Sequence, residues 1–115
     1  MNKRSIGSLY EDKACKYLES SGYIILERNF RNRTGEIDII AKIDKKIVFV
    51  EVKYRQSNDK GYPEDAVTRK KMQKIINVAK YYLLTHGLFD DVNVRFDVIC
   101  FYTNDMKHYR NAFSL

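Results

Sequence analysis

Four charged residues lie inside the apolar stretch "GEIDIIAKIDKKIVFVEVKYR": Glu36, Asp38, Glu51 and Lys53. Charge inside a strand-like run is costly unless it has work to do or a partner. Side chains alternate between the faces of a strand. Glu36, Asp38 and Ile40 therefore share one face, as do Phe49, Glu51, Lys53 and Arg55 across the turn, while Ile37, Ile39 and Ala41 and Val48, Val50 and Val52 form purely apolar faces. With the turn centred between Asp44 and Lys45, opposed residues have numbers that sum to 89. That register sets Asp38 opposite Glu51, Glu36 opposite Lys53 and Ile40 opposite Phe49, and a slip of one residue would mix the faces.

Opposed side chains have Cβ atoms about 5 Å apart, and like charges there repel. Two carboxylates so placed need a shared proton or a cation between them. Their hard oxygens suit Mg²⁺ or Mn²⁺, and Lys53 on the same face could orient a water or balance developing charge. Those are the parts of a metal-dependent phosphodiester hydrolysis. By spacing alone, the same residues read equally well as the solvated face of a two-stranded edge, with Glu36–Lys53 a surface ion pair. Glu11 borders the apolar stripe of the first helix and reads either as a third carboxylate or as an ordinary helix-surface acid. Arg28, Arg31, Arg33 and Arg55 flank the acidic strands, a placement that suits phosphate capture. Lys70, Lys71 and Lys74 are weaker candidates for the same role and otherwise form a solvated helix face.

The elements that must hold these residues follow from periodicity. Ile6, Leu9, Tyr10, Ala14, Tyr17 and Leu18 predict an amphipathic helix, with Ser5 as its start cap and Gly22 at its end. Tyr23 to Leu26 is a short β-rich run, and "ERNFRNRTG" reads as a loop. "QSNDKGYP" also reads as a loop, and Pro63 opens a helical region. Thr68 caps a further helix whose stripe is Met72, Ile75, Ile76, Ala79, Tyr82 and Leu83, and Gly87 ends it. "VNVRFDVICFY" is a strand, and "HYRNAF" adds a short edge strand. The pattern predicts an α/β chain of the mixed α+β kind, a central mixed sheet flanked by helices in one domain over residues 1–115.

Composition agrees. The chain has 115 residues, 44% hydrophobic and 31% charged, which excludes a disordered chain. A net charge of +6 favours a polyanionic partner. Cys15 and Cys100 form no CxxC pair and read as buried thiols, although a lone disulfide stays open. No run approaches the roughly 20 apolar residues of a membrane span, and no signal peptide is evident, so a cytoplasmic protein is expected. His86 and His108 read as isolated residues, structural or exposed, and Asp97 as a partner of Arg95 or a support of the sheet.

An acid in the first helix, then "GEIDII", then "VFVEVKYR", resembles the PD-(D/E)XK nuclease superfamily. Within it the chain looks closest to the YraN-like family of small predicted endonucleases, themselves similar to archaeal Holliday junction resolvases. The match extends through "TRKKMQKIINVAKYYL", "RFDVICF" and the closing "AF". The resemblance implies a restriction-endonuclease-like core, Asp38 and Glu51 on a Mg²⁺ or Mn²⁺ ion with Glu11 completing the site, and Lys53 in catalysis. It also implies a DNA substrate, branched or junction DNA among the candidates, and a homodimer. A nuclease fold that binds nucleic acid without cutting it is the competing expectation. Relatives commonly have Gly before the helix-1 Glu, where this chain has Tyr10.

Overall fold

The computed structural model of the protein describes residues 3–55, 67–88 and 93–114. In chain order these form α1 (Lys3–Ser20), β1 (Ile24–Arg31), β2 (Glu36–Ile43), β3 (Lys46–Tyr54), α2 (Arg69–Thr85), β4 (Asn93–Tyr102) and β5 (Asp105–Phe113). The strands make one five-stranded sheet in the order β1-β2-β3-β4-β5, with β1 and β5 at its edges. All neighbours are antiparallel except β3 and β4, which run parallel from Lys46 opposite Asn93 to Tyr54 opposite Phe101. Among the described residues the fold is therefore an α+β arrangement of a mixed sheet and two helices. The loop "QSNDKGYP", the Pro63 helical region and Val92 lie outside the described residues.

Two core layers form, one under each helix, the first from the purely apolar faces and the second from the apolar members of the mixed ones. Ile39, Ala41, Val48 and Val50 pack with Ala14, Cys15 and Leu18 of α1. Ile40, Ile47 and Phe49 pack with Ile75, Ile76, Val78, Ala79, Tyr82 and Leu83 of α2. Covering both faces makes β2 and β3 interior strands, so the reading of the charged face as a solvated edge does not hold. Tyr82 is buried edge-on against Phe49, ring centroids 6.0 Å apart, while Tyr81 lies on the rim near Phe30 at 6.2 Å. Cys15 and Cys100 are both free and buried.

Several local expectations change. Helix α1 starts at Lys3, so Ser5 lies within it and is not its cap. The "ERNFRNRTG" segment is no loop: β1 runs on to Arg31, with a register shift between Ile25 and Glu27 and Asn29 at φ +54°. Pairing along β2 supplies the hydrogen bonds that this polar sequence does not advertise. Only the turn after it is short, closed by Asn32 Oδ1, which accepts the N–H of Thr34 at 2.8 Å. Thr68 does cap α2, accepting the N–H of Lys71 at 3.1 Å. Past Thr85 the chain turns at Gly87, φ +67°, and Leu88 N–H donates to the carbonyl of Leu83.

Candidate active site

The β2–β3 register sums to 89, from Ile43 opposite Lys46 to Ile39 opposite Val50. Beyond that pair the strands part. Val52 N–H donates instead to Asp38 Oδ2 at 2.8 Å, so a side chain replaces a strand carbonyl. The alternation of β2 breaks at the same place. Ile37 packs with Ile40 and Phe49 under α2, not with Ile39 and Ala41 as strict alternation requires.

Asp38 and Glu51 nevertheless meet, both lining the same two recesses. Glu51 is 4% exposed. Burial, with the neighbouring Glu51 carboxylate, pushes the Asp38 carboxyl up to about 8, against the opposing bond from Val52.

Two ammonium groups close on Glu51 Oε2: Lys53 Nζ at 3.6 Å and Lys71 Nζ at 2.5 Å. Burial lowers the pKa of Lys53, and the adjacent Lys71 lowers it further, against the pull of Glu51. Burial also works against the charge of Lys71, but its bond to Glu51 outweighs this and holds its pKa above the usual lysine value.

Two recesses share Asp38, Glu51 and Lys71. The larger, about 540 Å³, lies toward α2 and is lined also by Thr34, Gly35, Glu36, Thr68, Lys70 and Lys74. The smaller, about 220 Å³, lies toward α1 and takes in Tyr10, Glu11, Lys53 and Tyr54. Tyr10 and Tyr54 stack there with ring centroids 4.5 Å apart.

Glu11 thus opens on the same recess as the acid pair, but Arg28 engages it at 3.7 Å and Asp12 at 2.8 Å. Arg28 ties β1 to α1. Arg31 pairs with Glu36 at 3.3 Å across the β1–β2 ladder, which replaces the expected Glu36–Lys53 contact. Arg33 is exposed in the β1–β2 turn, Lys70 is exposed along the larger recess, and Arg55 N–H donates to the carbonyl of Phe101 at 2.8 Å.

Asp38 and Glu51 supply converging carboxylate oxygens, one of which must shed a proton to bind, and this fits Mg²⁺ or Mn²⁺ with water completing the shell. Among the described residues, no group of three His, Cys, Asp or Glu side chains is arranged to hold a metal ion, so Glu11 does not close the set as placed.

A second polar cluster was not foreseen as one. Asp97 is fully buried, pairing with Arg95 through both carboxylate oxygens at 2.9 Å, with His108 Nε2 at 2.7 Å, and accepting Asn111 N–H at 3.0 Å. Arg95 also donates to Tyr23 Oη, and His108 Nδ1 meets Tyr17 Oη, both at 2.7 Å. The Arg95 pairing matches expectation, whereas His108, with its side chain 4% exposed, is the hub of a network and not isolated.

The fold and site define an α+β protein of one mixed sheet, with two carboxyls facing each other at a strand fork under two lysines. The chain belongs to the family described as uncharacterised protein family UPF0102, whose profile matches residues 10–101. It is similar to a UPF0102 protein of Lachnoclostridium phytofermentans, 47% identical over 98% of this chain and 96% of the relative. A UPF0102 protein of Persephonella marina is 51% identical over 91% of this chain and 90% of the relative. One of Clostridioides difficile is 46% identical over 98% of this chain and all of the relative. Their names state no activity.

Proposed function

We propose that the protein is a Mg²⁺- or Mn²⁺-dependent endonuclease-like enzyme with a PD-(D/E)XK core, hydrolysing phosphodiester bonds in DNA, branched or junction DNA included. The observation that carries this reading is the meeting of Asp38 and Glu51, partly or wholly buried, with Lys53 beside them. A pair so placed is poorly accounted for by stability, because replacing buried ionic groups with apolar ones is often neutral or stabilising.

When bound to Asp38 and Glu51, the cation supplies Lewis acidity and offsets charge at the phosphate. Lys53, its pKa lowered by burial, holds the attacking water by hydrogen bonding and steadies negative charge as it develops. The water oxygen bonds to phosphorus, one ester P–O bond breaks, and the departing oxygen leaves protonated. The larger recess, with Lys70, Lys71 and Lys74 on its wall, receives the backbone phosphates, and exposed Arg33 extends that surface. Arg28 acts through Glu11, keeping the α1 acid beside the site. A cytoplasmic homodimer completes the reading. No helix among the described residues is long and apolar enough to cross a membrane.

Cleavage of branched and flapped DNA with Mn²⁺ is the direct test. Wild-type protein should cut, and Glu51→Ala and Lys53→Ala should each abolish cutting. Cutting that survives both changes would defeat the assignment.

One observation favours a second reading. Glu51 is already neutralised by Lys71 and Glu11 by Arg28, as in a protein that binds nucleic acid without cutting it. Thermal melting separates the two: a shift with nucleic acid and none with any divalent ion supports binding alone.

A further inference from the structure

Lys71 lies against the acid pair, a place that the Asp–Glu–Lys pattern does not assign. Its Nζ lies 2.5 Å from Glu51 Oε2, nearer than Lys53 at 3.6 Å to the same oxygen. The two partners differ in freedom. Glu51 is fixed within an interior strand and is 4% exposed, whereas Lys71 stands in the first turn of α2 on a flexible four-carbon arm, its side chain 41% exposed. Lys71 also borders both recesses, so its ammonium can leave Glu51 without crossing packed protein.

A divalent ion on Glu51 would sit about 2.0–2.1 Å from the oxygen it binds. An ammonium hydrogen-bonded to that oxygen occupies the same space, and two cations at that range repel strongly. Resting on the nuclease reading above, we propose that Lys71 is a positioning residue with two stations. In the free protein it neutralises the acid pair, and loading of a divalent cation releases it into the larger recess to bind a nucleic-acid phosphate. There it joins Lys70 and Lys74, with Thr34 and Thr68 as neutral neighbours. Among the described residues, the one carboxylate on that wall besides the acid pair is Glu36, which Arg31 already holds. Metal loading and phosphate binding are thereby coupled, because the cation that fills the acid pair also frees a positive charge for the strand.

The test uses Lys71→Met, which keeps the length of the arm and removes its charge. Calorimetry without nucleic acid should show Mn²⁺ binding about tenfold more tightly to Lys71→Met than to wild type. With Ca²⁺ present, the same variant should bind a flapped DNA oligonucleotide about tenfold more weakly. Wild-type protein supplies a measurement that needs no variant. The slope of log affinity for DNA against log salt should steepen by about one phosphate contact when Ca²⁺ is added. Mn²⁺ binding of equal affinity in wild type and Lys71→Met, or a salt slope indifferent to Ca²⁺, overturns the Lys71 assignment alone. Failure of both proteins to bind Mn²⁺ overturns the metal-dependent reading on which it rests.

Discussion

Asp38 accepts the backbone N–H of Val52 at 2.8 Å, a bond that a carbonyl of β2 would accept if the ladder continued. The side chain thus does two things at once. It seals the end of the β2–β3 pairing, and it brings a carboxyl to Glu51.

Substitutions at Asp38 should separate these roles. Asp38→Asn keeps an oxygen for Val52 and, near pH 4 where the folded wild-type carboxyl is also uncharged, should retain wild-type stability within about 0.5 kcal/mol. Asp38→Ala leaves the N–H without its acceptor and should cost about 1–2 kcal/mol. Urea denaturation gives both values, and equal losses would mean that the Val52 bond contributes nothing. Neither variant should cut DNA.

The pH dependence follows from the same carboxyl, raised from 3.8 to about 8 in the folded protein. Between those values the folded state binds the proton and the unfolded state does not. This group's contribution is therefore fully present below about pH 4 and is lost as pH rises through 8. Metal-free wild type should lose ground to Asp38→Asn over that range in thermal melts. Mn²⁺ must displace the proton, so its apparent affinity should climb from pH 6 to 8, with proton release visible by calorimetry in two buffers. A flat profile would overturn the raised Asp38 pKa.

Asp97 has the opposite sign. Burial would raise its pKa, but hydrogen bonds from His108, Arg95 and Asn111 N–H outweigh that and hold it below 3.8. Its stabilisation is full above about pH 4 and fades as pH falls through the lower folded value. Asp97→Ala should cost about 3 kcal/mol or more, since it strands Arg95 and His108, and should flatten the acid limb of the stability profile. DNA affinity per folded molecule, measured by fluorescence anisotropy, should stay within about twofold of wild type.

Thr68→Ala removes the cap that aims the first turn of α2 at the acids. A loss of about 1 kcal/mol is expected in chemical denaturation. Helix content by circular dichroism should be almost unchanged.

Much of the site's framework was legible because two-residue alternation leaves few choices. The apolar runs on either side of Asp44 admit one register, and it is the one observed. The stripe from Met72 to Leu83 announces α2 in the same way. What escaped notice depended on contacts distant in sequence. Glu27 to Arg31 has no apolar alternation, and only its pairing with β2 makes it a strand. Nothing near His108 in sequence points to Tyr17, 91 residues away, until the sheet brings β5 beside β4. Lys71 did leave a signal. It lies four and seven residues before Ile75 and Val78, in line with the buried stripe, whereas Lys70 does not. The run "RKKMQK" hides that difference from a reading by charge alone.

The fork between β2 and β3 has a mechanical corollary. Glu51 rides on a strand bonded to β4 along its whole length, whereas Asp38 rides on one whose ladder past the fork runs to β1, through Phe30 and Arg31, with the Asp38–Val52 bond tying it to β3. The two carboxyls are blades of a pair of scissors pivoting near Ile39 and Val50. The Glu51 blade is the one braced by a continuous ladder, so any change in the gap between the two carboxyls falls to the Asp38 side.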